Sequence, residues 1–489
     1  MTSAKRSADV TLTKTKIVAT VGPASCSREK LEQLIQAGVS IFRLNFAHGS
    51  HEWLAEIVQS IRAISAENNI PIGILGDLSG PKIRLEQLPG DQIDCLAGAK
   101  FRFVRQPIPD DFSALTCTYE FLIDDLKVDD IVLLADGCVG MRVVEKPDPD
   151  QVVCVVERPG SIRSRQGINL PGVTLRTSSL TEKDIDDLQW GLENQLDFIG
   201  YSFVRNGSDI DLLRSEIEKR NPVRTPLIVA KIEKPEAIEC LTEILERTDM
   251  VMVARGDLGV EADIAKVPLL QKQIISSARE YRIPVITATQ MLETMQTNPF
   301  PTRAEASDVA NAVIDGTDAI MLSGETAVGH YPQNTVEQMN RIAKYAEAAI
   351  VSFPAMDPKS FGSRRARDVT EAVTAGAITS AEHFRADLIV VCTHTGKTAL
   401  ALSKRRPPIP ILALTDDQDT SQRMCAYWGV IPLLTQVVVR DQPSEILKFV
   451  SEWGKAQGTL KPGSKVVLIA ETNWSEGAHD MMLVHVVPE

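Results

Sequence analysis

Residues 226–233 read PLIVAKIE and residues 249–257 read DMVMVARGD. Each is a short apolar run that ends in charge. The first delivers Lys231 and Glu233; the second delivers Arg255, Gly256 and Asp257. Apolar runs of this length, separated by helical patterns, read as strands of a parallel sheet buried on both faces. The chain carries eight such runs, and five of the other six deliver Arg43 with Asn45, Asp77, Ser202, Thr289, and Ser323 with Glu325. A parallel β/α barrel gathers the C-terminal ends of its strands at one rim, where barrel enzymes keep their active sites. Acids, a lysine and arginines converging there point to a metal and an anionic substrate.

The runs are residues 15–22, 39–46, 71–78, 198–204, 226–232, 249–255, 284–290 and 318–325. Between them lie helical periods such as REKLEQLIQAG, stopped by Gly38, and PLLQKQIISSAREY. The expected fold is α/β: a (β/α)8 TIM barrel over 13–84 and 181–352, after a polar lead-in at 1–12. An open doubly wound sheet is the alternative. Residues 85–180 change texture to Pro, Gly, Val and Asp with short β runs, and are expected to form an inserted small β-barrel lid domain. FPAMDPKSFGSRRARD (353–368) reads as a linker, which opens a C-terminal α/β domain over 353–489.

A chain of 489 residues predicts two to four domains. A net charge of −13 argues against a nucleic-acid or acidic-membrane partner, because both need a basic face. It leaves room for a phosphorylated substrate, since a local cationic cluster dominates within one Debye length of about 8–10 Å. The eight cysteines form no Cys-x-x-Cys pair and fit reduced thiols. MTSAKRSADV lacks an apolar leader core, and no apolar stretch approaches the ~20 residues of a bilayer span. A soluble, cytoplasmic protein is expected.

Glu233 and Asp257 end neighbouring strands and can share one divalent cation; two carboxylates and several open positions suit Mg²⁺, with Mn²⁺ as an alternative. Rim salt bridges are the other reading of these acids. Lys231 and Arg43 offer fixed positive charge to a phosphoryl group, whose transfer rests on positioning and neutralisation.

TKIVATVGPAS, RLNFAHGSHE, GDLSGPKIR, AKIEKPEAIE, MVARGDLGVE, TATQMLETM and PTRAEASDVANAVIDGTDAIMLSGETAVG together resemble the pyruvate kinase family. The resemblance runs from about 14 to 345 and continues more weakly beyond. It implies phosphoryl transfer from phosphoenolpyruvate to ADP, giving pyruvate and ATP. It implies that Arg43 and Lys231 contact the transferring group and that Glu233 and Asp257 hold Mg²⁺. Amides around Ala254, Arg255 and Gly256 would cradle the substrate carboxylate, with Ser202 beside the substrate and Thr289 near the carbon that becomes the methyl group. Asn45, His48, Arg84 and Lys183 fall at nucleotide-side positions, where a second Mg²⁺ arrives with the nucleotide. A homotetramer is implied as well. Ser323 and Glu325 would relay the enolate's proton, although SGET reads equally as a helix cap in which Ser323 or Thr326 is structural.

The sequence departs from the family's K⁺ site. Asn45 and Asp77 remain, but Ala47, Leu78 and Lys82 stand where the pattern has Ser, Thr and Glu. A hydroxyl ligand is lost and an ammonium gained, so Lys82 is expected to replace K⁺; a solvent-facing Lys82 in a degraded site is the alternative. In the C-terminal domain, Thr393, His394, Thr395, Gly396, Lys397 and Thr398 form a polar loop ahead of a helix, a site for a phosphorylated effector such as a sugar phosphate or nucleotide monophosphate. Val391 rules out a Walker A loop. A loop with no ligand is the plainer reading. Two other function classes fit parts of the pattern: a Mg²⁺-dependent barrel lyase or mutase, and a catalytically dead metabolite sensor.

Overall fold

The computed structural model describes residues 13–108, 111–173, 175–352, 369–436, 443–470 and 481–489. The lead-in at 1–12 and the linker at 353–368 lie outside the described residues. Eight parallel strands close into a barrel. They are β1 (Lys16–Thr20), β2 (Ile41–Asn45), β3 (Gly73–Asp77), β4 (Phe198–Tyr201), β5 (Leu227–Ile232), β6 (Met250–Ala254), β7 (Val285–Ala288) and β8 (Ala319–Leu322). β8 pairs with β1, Lys16 opposite Ala319, which completes the ring and excludes an open sheet.

Side chains alternate across a strand, so parity decides what each residue faces. Ile17, Phe42, Ile74, Ile199, Ile228 and Val251 pack outward in one cluster with the surrounding helices. Val18, Ile41, Leu75, Phe198, Val229, Met252, Ile286 and Met321 fill the lumen in a second. Counting by twos along the lumen face leads to Thr20, Arg43, Asp77, Ser202, Lys231 and Glu233 at the rim. The barrel is therefore a packed plug below and a polar mouth above.

The inserted segment builds a six-stranded sheet in the order Ile168–Asn169, Ile131–Leu134, Val139–Asp148, Gln151–Arg158, Lys100–Val104 and Ala114–Leu115. Gln92–Cys95 pairs separately with Gly160–Arg163. Its own apolar cluster includes Phe103, Leu134, Met141 and Val156. A four-residue helix, Leu122–Asp125, is too short to show a period in sequence. The segment's two ends are tied together: Gly80 N donates to Asp184 Oδ1 at 3.0 Å. Asp184 also closes a capping box with Thr181 at the start of helix Glu182–Glu193.

The C-terminal sheet runs Val430–Leu434, Ile411–Thr415, Leu388–Cys392, Lys465–Ala470, Met481–Val486, with the last strand antiparallel. One face shares an apolar cluster with the barrel lumen. Two buried aspartates pin the units together. Asp318 accepts from Lys404 and Arg406, and Asp197 pairs with Arg224, which also donates to Gln422 at 2.7 Å. No helix among the described residues is long and apolar enough to cross a membrane.

Candidate active site

Asp77 is the hub of the rim. It is 1% exposed, and Arg43 grips Oδ2 through Nε at 2.7 Å and a terminal nitrogen at 2.6 Å. Arg43 also donates to Thr20 Oγ1 at 3.1 Å. Lys231 Nζ lies 3.4 Å from Asp77 Oδ1, 3.0 Å from Glu233 Oε1 and 2.7 Å from Ser202 Oγ. Ser202 in turn donates to Leu78 O at 2.6 Å. Gly200 makes the hub possible, since a Cβ there would stand 2.7 Å from Asp77 Oδ1.

Burial opposes charge on these groups, and their neighbours decide the outcome. For Asp77, burial raises the carboxyl, but Lys231 and Arg43 outweigh it and hold the group below the usual carboxylate range. For Lys231, burial is outweighed by Asp77 and Glu233, and the ammonium is pushed up. Glu233 is raised, first by burial and further by the charge of Asp257; Lys231 and the Phe203 amide, 2.8 Å from Oε2, oppose the rise.

Asp257 lies in the first turn of helix Arg255–Glu261, directly after β6. The charge of Asp257 therefore disfavours ionisation of Glu233, a penalty that a cation between the two would remove. Among the described residues no group of three or more His, Cys, Asp or Glu could hold a metal. The donor set fits a hard ion that takes two carboxylates and fills its remaining positions with substrate oxygens and water, as Mg²⁺ does.

Gly256 N donates to Thr289 Oγ1 at 2.7 Å. A Cβ at residue 256 would lie 3.3 Å from that hydroxyl. Thr289 holds φ +69° and Gln290 φ +53°. A β-branched residue in the left-handed region costs about 1–3 kcal/mol and marks a position fixed by its surroundings. Arg255 corrects an impression left by the sequence. Its guanidinium turns to the loop after β7, donating to Thr289 O at 2.6 Å and pairing with Asp308 at 2.7 Å. The expected role of this residue toward a substrate is therefore left to its backbone amide.

The nucleotide-side candidates fall in two places. Asn45 Oδ1 accepts from Ala47 N at 3.2 Å, and Lys183 Nζ donates to Phe46 O at 2.8 Å, so both border the loop after β2, which also carries the exposed His48. Arg84 donates to Arg165 O, in the inserted segment, at 3.1 Å. Lys82 is exposed and forms no ion pair with a described residue; its Cε lies 3.4 Å from where a Cβ on Gly167 would stand.

At the end of β8, Ser323 Oγ is buried with no partner among the described residues, so it caps nothing. Glu325 holds that turn instead, accepting from Ser323 N at 2.7 Å and Leu292 N at 3.1 Å, with its carboxyl raised by burial. Thr326 is structural, donating to Thr20 O at 2.9 Å.

In the C-terminal loop, Gly396 (φ +75°) ends a tight turn in which its N–H donates to Thr393 Oγ1 at 3.0 Å. His394 Nδ1 pairs with Asp416 Oδ1 at 3.0 Å. Thr395 is exposed ahead of helix Lys397–Lys404, whose first residue, Lys397, is exposed and whose second, Thr398, is buried.

Sequence reasoning missed Thr20, although it lies toward the downstream end of the run at 15–22 just as Arg43 does in the run at 39–46. It also missed the inserted-domain contact of Asn169 with Glu261, for which no local signal exists.

The fold and its cation-lined mouth define a barrel enzyme that handles an anionic substrate. A family model described as "Pyruvate kinase, barrel domain" matches residues 12–336, and one described as "Pyruvate kinase, alpha/beta domain" matches residues 371–485. Pyruvate kinase 2 of Synechocystis is 42% identical over 97% of this chain and 79% of its own length. The pyruvate kinase of Bacillus licheniformis is 40% identical over 97% of this chain and 80% of its own. A crystal structure of a pyruvate kinase from Cryptosporidium parvum superposes with a TM-score of 0.89 at 33% identity, covering 97% of this chain and 96% of that one. The chain belongs to the pyruvate kinase family and is a phosphotransferase; phosphoenolpyruvate, ADP, pyruvate and ATP follow from that membership.

Proposed function

We propose that the enzyme works at the mouth around Lys231 with Mg²⁺, without K⁺, and under activation by a phosphorylated effector. The observation that carries the reading is the ammonium of Lys231, its side chain 12% exposed, set among Ser202, Asp77 and Glu233. Glu233 and Asp257 would hold the divalent ion, which when bound supplies positive charge to the phosphate and carboxylate of phosphoenolpyruvate.

Arg43 and Lys231 neutralise the phosphoryl group as an ADP β-phosphate oxygen attacks phosphorus in line. Lys231 then faces the enolate oxygen that leaves, where fixed charge in a dry site has its greatest effect. The Gly256 amide, now donating to Thr289, exchanges that partner for the substrate carboxylate. This frees the Thr289 hydroxyl to help a proton reach the carbon that becomes the methyl group, with Ser323 and Glu325 behind it. Asn45, His48, Arg84 and Lys183 serve the nucleotide. The inserted domain, residues 85–180, closes over both substrates and limits hydrolysis.

Lys82 takes the role of the monovalent ion. The loop 393–398 takes the effector phosphate, with Lys397 and Thr395 as its exposed donors. The enzyme acts in the cytoplasm as a homotetramer with contacts from barrel and C-terminal domain. Measuring ATP and pyruvate formed from phosphoenolpyruvate and ADP, with Mg²⁺ and no K⁺, tests the reading. Equimolar products are expected, and no turnover without K⁺ would remove the Lys82 assignment.

A further inference from the structure

Three polar side chains meet where the inserted domain touches the barrel, apart from the rim. Asn169 ends the last inserted strand and donates to Glu261 Oε1 at 3.0 Å. Lys234 Nζ stands 3.4 Å from Glu261 Oε2. All three residues are buried, with exposures of 7%, 6% and 5% for Asn169, Glu261 and Lys234. Their positions in the chain give the cluster its meaning. Lys234 directly follows Glu233, and Glu261 ends the seven-residue helix that carries Asp257 in its first turn. Each barrel member is thus joined to one of the two candidate metal acids by a short rigid segment. A second contact reinforces the first, because a Cβ on Gly137, in the inserted domain, would lie 3.7 Å from Val260 on the same helix.

We infer that Asn169, Glu261 and Lys234 form a latch that ties closure of the inserted domain to the posture of the two-acid site, with Asn169 and Glu261 as positioning residues for phosphoryl transfer. Burying a carboxylate is costly unless it is paired and hydrogen-bonded, and here Asn169 serves one oxygen and Lys234 the other. Lys234 belongs to the barrel and stays in reach in any position of the inserted domain. Asn169 does not, so swinging the domain away strips Oε1 of its donor and admits water. The helix then loses the contact that holds its far end, while its near end carries Asp257. A cavity of about 240 Å³ adjoins the latch, lined by both crossing segments through Pro81, Ile83, Leu170 and Val173, with Phe203 and Lys234 on the barrel side. It gives the hinge room to move without breaking the barrel wall.

The inference rests on the two-acid and lid readings above, and its test separates them. Asn169→Ala, Lys234→Met and Lys234→Arg are compared with wild type in the full chain. The readouts are kcat and KM for phosphoenolpyruvate, ATP formed per pyruvate, amide hydrogen exchange over residues 255–261, and Mn²⁺ affinity without substrates. Losing one charge-assisted hydrogen bond should lower kcat about tenfold for Asn169→Ala while KM changes less than about twofold. ATP per pyruvate should fall below one as water reaches the site, and exchange over 255–261 should quicken. Lys234→Met should behave likewise and Lys234→Arg should restore wild-type values. Wild-type exchange and wild-type ATP per pyruvate in both Asn169→Ala and Lys234→Met would overturn the latch. Failure of the two-acid reading shows up elsewhere: Glu233→Gln and Asp257→Asn would then leave Mn²⁺ affinity unchanged whatever Asn169 does.

Discussion

Lys404 Nζ stands 2.7 Å from Asp318 Oδ2, with both side chains sealed between the barrel floor and the C-terminal domain at 4% and 0% exposure. Lys404 ends the helix that starts at the 393–398 loop, and Asp318 immediately precedes β8, whose far end carries Ser323. Arg406 adds a bond to Asp318 Oδ1 at 3.1 Å. One helix and one strand therefore join the proposed effector loop to the mouth through a single ionic joint.

Burial pushes the Lys404 ammonium down to about 8 from its ordinary 10.5, with Asp318 pulling the other way. Between those two pH values the unfolded chain holds more protons on this group than the folded one. Stability from this group therefore rises with pH through that window and is flat below it. Lys404→Met removes the slope. Urea midpoints of the variant relative to wild type should fall as pH climbs from 8 to 10.5, and a constant difference would contradict the assignment.

Lys231→Met should reduce kcat by about a hundred- to a thousandfold, the scale seen when one preorganised electrostatic donor is removed. Mn²⁺ binding should survive, because Glu233 and Asp257 remain. Steady-state kinetics beside a metal titration distinguishes this result from collapse of the site.

Replacing K⁺ by tetramethylammonium should change turnover by less than about twofold, while Lys82→Glu should create a K⁺ requirement of about tenfold or more, since the site charge is reversed. Initial rates in the two salts at equal ionic strength settle both halves. The exposed Lys82 has its stem against Gly167 and is unpaired among described residues, so its charge is available to a closed site.

His394 is raised above its ordinary 6.5 mainly by its hydrogen bond to Asp416. Its charge is complete below that value in both states and is lost as pH rises through the higher folded value. Anion affinity of the loop should fall over the same range, and Asp416→Asn should move the His394 titration, followed by NMR, downward. Thr395→Ala with Lys397→Ala should abolish activation by a sugar phosphate without altering the unactivated rate.

Gly256→Ala should raise KM for phosphoenolpyruvate by about tenfold, because the new methyl crowds both the amide and Thr289 where a close ligand belongs. Steady-state kinetics over a range of phosphoenolpyruvate concentrations checks it. An unchanged KM would place the substrate carboxylate elsewhere.

The polar downstream ends of the apolar runs made most of the mouth legible. Lys231 and Glu233 close the run that forms β5, and Asp77, Ser202 and Arg43 close three others. Asp257 was read as a strand end and proves to be helical, since the chain turns into its helix at Arg255 without a loop. The direction of the Arg255 side chain was not legible, because Asp308 waits 53 residues away. The edge strands of the C-terminal sheet were also hidden. Pro432 interrupts the apolar run of Val430–Leu434, and His485 interrupts that of Met481–Val486.

Asp184 clasps Gly80 where the polypeptide departs for the inserted sheet and comes back. That excursion leaves and rejoins the scaffold through one doorway, so it can be exchanged or trimmed without relaying a single barrel stave. A version with the excursion shortened to a tight loop should still assemble its ring and floor, and would offer an uncovered vessel in which to graft a different cap.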